Sequence, residues 1–334
     1  MRKVMVGLAF FVIIAVAAYL RFRAVKAPAE VGYAGNGQVT LWSSSAQVRE
    51  PVGALAFGER LTILQRFESK VRVRTATGKT GWINERDMLS SEVWDADKAL
   101  GMKAAALPVE ARGHTRVISN LHVDAGRDAP RIRQLSKDMP VDLLAREPVE
   151  LPAANRPDSD EEAAPAEPAP TKKEDWWLVR AYPPEEQPLA GWVLGRFIEL
   201  NVPAPLPDYA SSAGMRIVAW FDLYQVKDAS GNPKPEYLVL NAKGPEGQPC
   251  DFTSLRVYTW GAKRARYETA FVDSGVCGRL PIALTHAEAS ASEITFSFND
   301  LSHGAPEKRA YRMHQTVVRR IRQGESQPRK RSHS

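Results

Sequence analysis

Hydrophobic and polar positions fall into three regimes along the chain. From Val4 to Leu20 the run VMVGLAFFVIIAVAAYL carries no charge, with Arg2 and Lys3 before it and Arg21, Arg23 and Lys26 after it. As a helix this run measures about 25 Å, near the short limit for a bilayer core. Positive residues directly behind it, with no small-x-small cleavage site, favour an uncleaved anchor (residues 1–27) over a removable signal. No cysteine closes the run for lipid attachment, and positive charge on both flanks leaves the orientation open. From 31 to 91 the period changes to two: Leu61, Ile63, Gln65 and Phe67, then Val71, Val73 and Thr75, alternate with polar neighbours around a Thr-Gly-Lys turn. That alternation predicts short antiparallel strands closing a small barrel.

The same order of elements returns over 114–200. RVISNLHV precedes a polar stretch DAGRDAPRI, and MPVDLLAR, WWLVRAY and AGWVLGRFIEL follow. Each copy ends on a Gly-Trp pair, Gly81-Trp82-Ile83 and Gly191-Trp192-Val193, so the two form an internal repeat. Between them, residues 92–113 predict a helical linker, with Ser91 as cap and Val93, Leu100, Ala104 and Leu107 on one face. Within the second copy, 148–173 is rich in Ala, Pro, Asp and Glu, a composition that buries too little apolar area to fold and predicts a disordered acidic insertion between two strands. A turn-rich linker (201–213) leads to a third module, 214–322, whose long alternating strands and Gly, Pro and Asn turns predict a C-terminal antiparallel β-domain, a sandwich or an incomplete barrel. Residues 323–334 form a basic tail expected to be disordered.

The two repeats resemble the bacterial SH3 (SH3b) family. The second carries Asn120-Leu121-His122-Val123, the loop Gly126 to Pro130, the apolar strand Val141 to Leu144, Trp177-Leu178-Val179 and Gly191-Trp192-Val193; the first keeps Leu41, Gly58-Glu59-Arg60-Leu61 and Gly81-Trp82-Ile83. The resemblance covers under half of the chain. It implies two SH3-like small barrels, making the whole all-β apart from one N-terminal transmembrane helix and the short helical linker. It also implies a cell-wall polymer (peptidoglycan) or an envelope protein as partner, reached through the barrel grooves. His122 replaces the usual Arg of the first family strand, and Trp42 stands near that place in the first copy. In the third module, Asp228 to Glu236 followed by an apolar strand is similar to the repeat unit of FG-GAP propellers, although a propeller needs several such units and only one is visible.

Composition narrows the chemistry. The 334 residues carry a formal charge of +6, with the excess in the tail, and no aromatic residue interleaves with those charges after Tyr311, so nucleic acid is not an expected partner. The six histidines show no zinc spacing, and the acids around Asp228 are broken by Pro233 and Pro235, so neither a metal nor another cofactor is expected. The only cysteines, Cys250 and Cys277, read as a disulfide in an exported chain. A Cys/His cell-wall hydrolase is the enzymatic alternative, with Cys250 as nucleophile and His303 as base. Cys250 precedes a strand-like DFTSLRVYTW, however, and so lacks a helix N-terminus to activate it. The candidate ligand contacts are Trp42 and Arg49 in the first copy and His122, Arg127 and Trp176 in the second. Trp176 and Trp177 are adjacent on a strand, so they face opposite sides and at most one is expected in the core, leaving the other free to bind. The expected protein is a non-enzymatic one, held by a single pass in the inner membrane with its bulk in the periplasm or beyond. Its alternative role is a scaffold recognising a protein through the C-terminal β-domain. Oligomeric state is not readable from the sequence.

Overall fold

The structure, a computed structural model, describes residues 30–151, 172–184, 186–286 and 293–321. The predicted anchor, most of the acidic insertion and the basic tail lie outside them. Among the described residues no helix is long and apolar enough to cross a membrane. The chain divides into two compact units, Met1–Trp94 and Asp95–Ser334. The described residues are all-β, with three antiparallel sheets of seven strands each.

The first unit holds β1 (Val31–Ala34), β2 (Val39–Trp42), β3 (Pro51–Leu55), β4 (Arg60–Phe67), β5 (Lys70–Thr75), β6 (Thr80–Asn84) and β7 (Met88–Ser90), with a 3-10 turn, Glu85–Asp87, before the last. Period-two alternation works as predicted: Val71, Val73 and Thr75 are buried while Arg72 and Arg74 are exposed. The inward set, Ala34, Val39, Leu41, Leu55, Leu61, Val71, Val73 and Ile83, forms one core. Trp94 closes the unit by stacking on Tyr33, with ring centroids 4.7 Å apart.

The second sheet comprises β8 (Ala111–Thr115), β9 (Ser119–His122), β10 (Arg131–Leu135), β11 (Pro140–Glu150), β12 (Lys173–Ala181), β13 (Leu189–Leu194) and β14 (Ile198–Leu200), again with a 3-10 turn, Gly195–Phe197, before its last strand. Its spatial order, β10-β9-β13-β12-β11-β8-β14, reproduces that of the first sheet, β3-β2-β6-β5-β4-β1-β7, strand for strand. The sequence repeat is therefore a repeat of topology. The Gly of each Gly-Trp pair has the same reason to be there: a Cβ on Gly81 would lie 2.5 Å from Leu41 Cγ, and one on Gly191 would lie 2.3 Å from Leu121 Cγ. Only glycine lets the sixth strand of each sheet cross the second so closely.

Several boundaries differ from the sequence reading. Helix α1 (Ser91–Ala105) supplies the expected helical segment, and Leu100 and Ala104 are its buried apolar residues, but β8 already begins at Ala111, inside the predicted linker. The predicted insertion starts later and ends earlier than expected, because β11 runs through Pro148 to Glu150 and pairs with β12 in continuous register from Ala145↔Leu178 to Glu150↔Lys173. Backbone pairing at the hairpin end overrides the composition of those few residues.

After α2 (Leu206–Ser212), the third sheet comprises β15 (Arg216–Lys227), β16 (Pro233–Ala242), β17 (Phe252–Gly261), β18 (Arg266–His286), β19 (Glu293–Asp300), β20 (Glu307–His314) and β21 (Val317–Ile321). The strands neighbour one another in chain order, so this is a single open meander rather than a two-sheet sandwich. β18 continues through Gly275, Gly278 and Pro281, and its register with β19 shifts between Arg279 and Ala283, an irregularity that accommodates Pro281. Cys250 and Cys277 form the expected disulfide.

The second and third sheets share a buried ionic junction. Arg146 on β11, with a side chain 2% exposed, reaches Asp175 Oδ1 on β12 at 2.6 Å and Asp251 Oδ1 at 2.8 Å. It also donates to the carbonyls of Gln248 (2.9 Å) and Cys250 (3.3 Å). Asp251 in turn accepts the Leu280 N–H at 2.8 Å. Nearby, Glu110 is 1% exposed and accepts the Ile282 N–H through Oε2 at 3.1 Å. Burial, with a smaller push from the Asp251 charge, moves the Glu110 carboxyl up to about 7 against the Ile282 hydrogen bond. A carboxyl raised on folding binds its proton more tightly when folded. Its contribution is therefore complete below its ordinary value of 4.5 and is lost as pH rises through about 7. We expect about 3 kcal/mol of stability to disappear between pH 4.5 and 8 from this group. Urea midpoints at pH 5 and pH 8 check this: the difference shrinks in Glu110→Gln, and an equal difference in both proteins sinks the assignment.

Candidate ligand groove

β12 separates two environments by its alternation. Glu174 and Trp176 face one side, Asp175 and Trp177 the other. Both tryptophans are buried, at 3% and 5% exposure. The expectation that at most one of them is core fails because the third sheet and its approach segment lie over the side facing Trp177, a cover that no local pattern announces.

On the other side, Trp176 lines a groove of about 230 Å³ with Asn120, His122, Arg127, Leu194, Arg196 and Phe197. The three candidates predicted in the second repeat, His122, Arg127 and Trp176, thus come together. His122 ends β9, opposite Trp192 in the register of β9 with β13. Its ring meets Trp176 edge-on, with centroids 5.3 Å apart, and its Nδ1–H donates to the Ala129 carbonyl at 2.7 Å. That bond fixes the imidazole and directs Nε2 away from the loop. Arg127 and Arg196 converge on a single carboxylate: Arg127 reaches Glu174 through Nε at 2.8 Å and Nη2 at 2.5 Å, and Arg196 Nη2 reaches it at 2.6 Å. The Arg127 hydrogen bonds, followed by that of Arg196, outweigh burial and hold the Glu174 carboxyl below the usual carboxylate range. Two guanidiniums against one carboxylate leave net positive charge over an aromatic floor. Glu174 and Arg196 were not foreseen. A lone Glu or Arg at a strand or turn end reads as solvated surface, and only the fold brings these to Arg127.

The first repeat places its two candidates in the equivalent position but builds a different surface. Trp42 lies opposite Trp82 as His122 lies opposite Trp192. The Arg49 guanidinium sits 4.4 Å from the centroid of the Trp42 ring, a cation–π contact that covers the indole. Where the second sheet has Trp176, the register of β5 with β6 places Lys70, whose ammonium donates to the Ser45 carbonyl. The five candidates therefore form two separate sites, one in each repeat.

Elsewhere, Asp228 Oδ1 accepts the Ser230 and Asn232 N–H groups, both at 2.9 Å, as an ordinary turn, and Glu236 lies buried on β16, outside that turn. Among the described residues no cluster of three or more His, Cys, Asp or Glu could hold a metal ion. The Cys250 sulfur is taken up in its bridge to Cys277.

A scan of the sequence against protein-family models finds no match, and a search of curated proteins finds none. Among solved structures, the chain is similar to NlpC2 from Trichomonas vaginalis, at 10% identity and TM-score 0.17 over 74% of this chain and 96% of that one. It is also similar to NlpC1 from the same organism, at 9% identity and TM-score 0.18 over 73% of this chain and 89% of that one. At such TM-scores neither likeness assigns a fold or an activity.

Proposed function

We propose that the chain is a membrane-anchored, non-enzymatic envelope protein, that its two repeats are SH3b-type barrels, and that the groove of the second engages peptidoglycan. The observation that carries this reading is the convergence of His122, Arg127, Trp176 and Arg196 on one groove. An aromatic floor beneath two guanidiniums suits a polymer whose peptide stems present amide faces and carboxylates. At about 230 Å³ the groove takes one residue of such a stem, so affinity for the polymer comes from many weak engagements along it. The disulfide fits an oxidising compartment.

The test is co-sedimentation of the full-length protein with purified cell-wall sacculi. We expect binding by the wild type, a loss of about tenfold or more in the double variant Arg127→Glu/Trp176→Ala, and none when 32–200 is deleted. Unchanged sedimentation of the double variant removes the groove. A second reading, a scaffold acting through the C-terminal domain, draws on the open edges of the third sheet at β15 and β21, where unpaired strands can accept a partner. It predicts that a protein partner, rather than sacculi, is retained by the wild type and by the double variant alike.

A further inference from the structure

The opposite side of β12 borders a larger cleft, of about 450 Å³, enclosed by the second sheet, α2 and β15 within the second unit. This volume falls in the range of small-molecule pockets, about 300–1,000 Å³. Leu143, Trp177, Ile198 and Met215 give it apolar walls. Two groups of opposite sign stand side by side in it. Asp175, with a side chain 3% exposed, is held rigidly through Oδ1 by Arg146 at 2.6 Å and by the Gly247 N–H at 2.8 Å. Its Oδ2 is buried and, among the described residues, receives no hydrogen bond. The guanidinium of Arg216, 44% exposed, approaches that oxygen only to 3.6 Å. The other charges at the rim are already engaged, Arg116 with Glu199 and Arg196 with Glu174, apart from Glu246.

A buried carboxylate oxygen lacking a hydrogen-bond donor, beside a part-exposed guanidinium that ion-pairs with it only at 3.6 Å, matches a zwitterionic head in which ammonium and carboxylate are neighbours. We infer that this cleft binds a free α-amino acid with an apolar side chain. Its ammonium meets Asp175 Oδ2, its carboxylate meets Arg216, and its side chain lies between Trp177 and the aliphatic walls. Asp175 is already positioned by Arg146, and the part-exposed Arg216 guanidinium, 3.6 Å from the buried Oδ2, is the group that swings aside to admit the ammonium. The site does not depend on the peptidoglycan reading, because the groove lies on the other face of β12.

Calorimetric titration of the full-length chain in mild detergent with L-leucine, leucinamide and N-acetyl-leucine tests it. Leucine is expected to bind, with leucinamide and N-acetyl-leucine each at least about tenfold weaker, because each lacks one of the two charges. In Arg216→Gln, leucine falls to the level of leucinamide, while leucinamide is unchanged. Absence of leucine binding up to about 10 mM, or equal binding of all three compounds, overturns the site. Should Arg216→Gln fail to fold, the three-ligand comparison on the wild type decides alone.

Discussion

Replacing Arg146 by alanine is expected to cost about 4 kcal/mol of folding stability, because it removes the buried cation shared by Asp175 and Asp251 and leaves them only the longer contacts of the part-exposed Arg216 (3.6 Å) and Arg279 (3.5 Å). Pairs of this kind are not strong stabilisers in their own right: desolvating three charges offsets most of their attraction. The asymmetry lies in breaking them. Once Arg146 is gone, two carboxylates that are each 3% exposed lose their closest donor, and the junction must draw in water to solvate them. The backbone carbonyls of Gln248 and Cys250 lose a donor as well. Equilibrium urea unfolding followed by tryptophan fluorescence should show the midpoint fall on the order of 1.5 M. Arg146→Met combined with Asp175→Asn and Asp251→Asn should be less harmful than Arg146→Met alone, since the buried charge is removed with its partner. A midpoint for Arg146→Ala within experimental error of the wild type sinks this account.

The residues that matter most at this junction were the least legible. Arg146 sits in the run LLAREP, where a basic residue at the end of an apolar strand reads as a solvated side chain. Its burial depends on a loop about a hundred positions downstream folding over it. Glu110 is hidden for the same reason. By contrast, the strands with strict alternation, such as Lys70–Thr75, were readable because one face of a small sheet must be apolar whatever its neighbours are. Short strands with few apolar residues, β1, β3 and β8, escaped because four or five residues carry too little period to stand out. The groove was partly legible: the repeat itself marked His122, Arg127 and Trp176, since corresponding positions of a repeated fold share a surface. The carboxylate that holds the two arginines was not, because electrostatic partners carry no sequence period. Trp177 shows the limit of alternation, which correctly assigns it to the opposite face but says nothing about what covers that face.

The disulfide supplies the second large effect. Cys250 and Cys277 are 27 residues apart, and closing a loop of that length in the unfolded chain corresponds to about 3.5 kcal/mol on the chain-entropy argument. Cys250→Ser/Cys277→Ser should therefore lower the urea midpoint by an amount close to that of Arg146→Ala. The two effects should not be independent. The Cys250 carbonyl accepts from Arg146, while the Cys277 N–H donates to Asp300, whose carboxylate also takes hydrogen bonds from Ser302 and Arg309. The bridge thus ties the ionic junction to a second polar cluster, and cutting it loosens the segment 247–251 that Arg146 grips. In the serine background Arg146→Ala is expected to cost less than in the wild type, by a coupling on the order of 1 kcal/mol, the magnitude found for residues within one network. A full double-mutant cycle in urea measures it, with wild-type samples kept oxidised. Strict additivity would mean that the bridge acts only on the unfolded chain; a positive coupling would place it in the native packing of the junction as well, holding Asp251 where Arg146 can reach it.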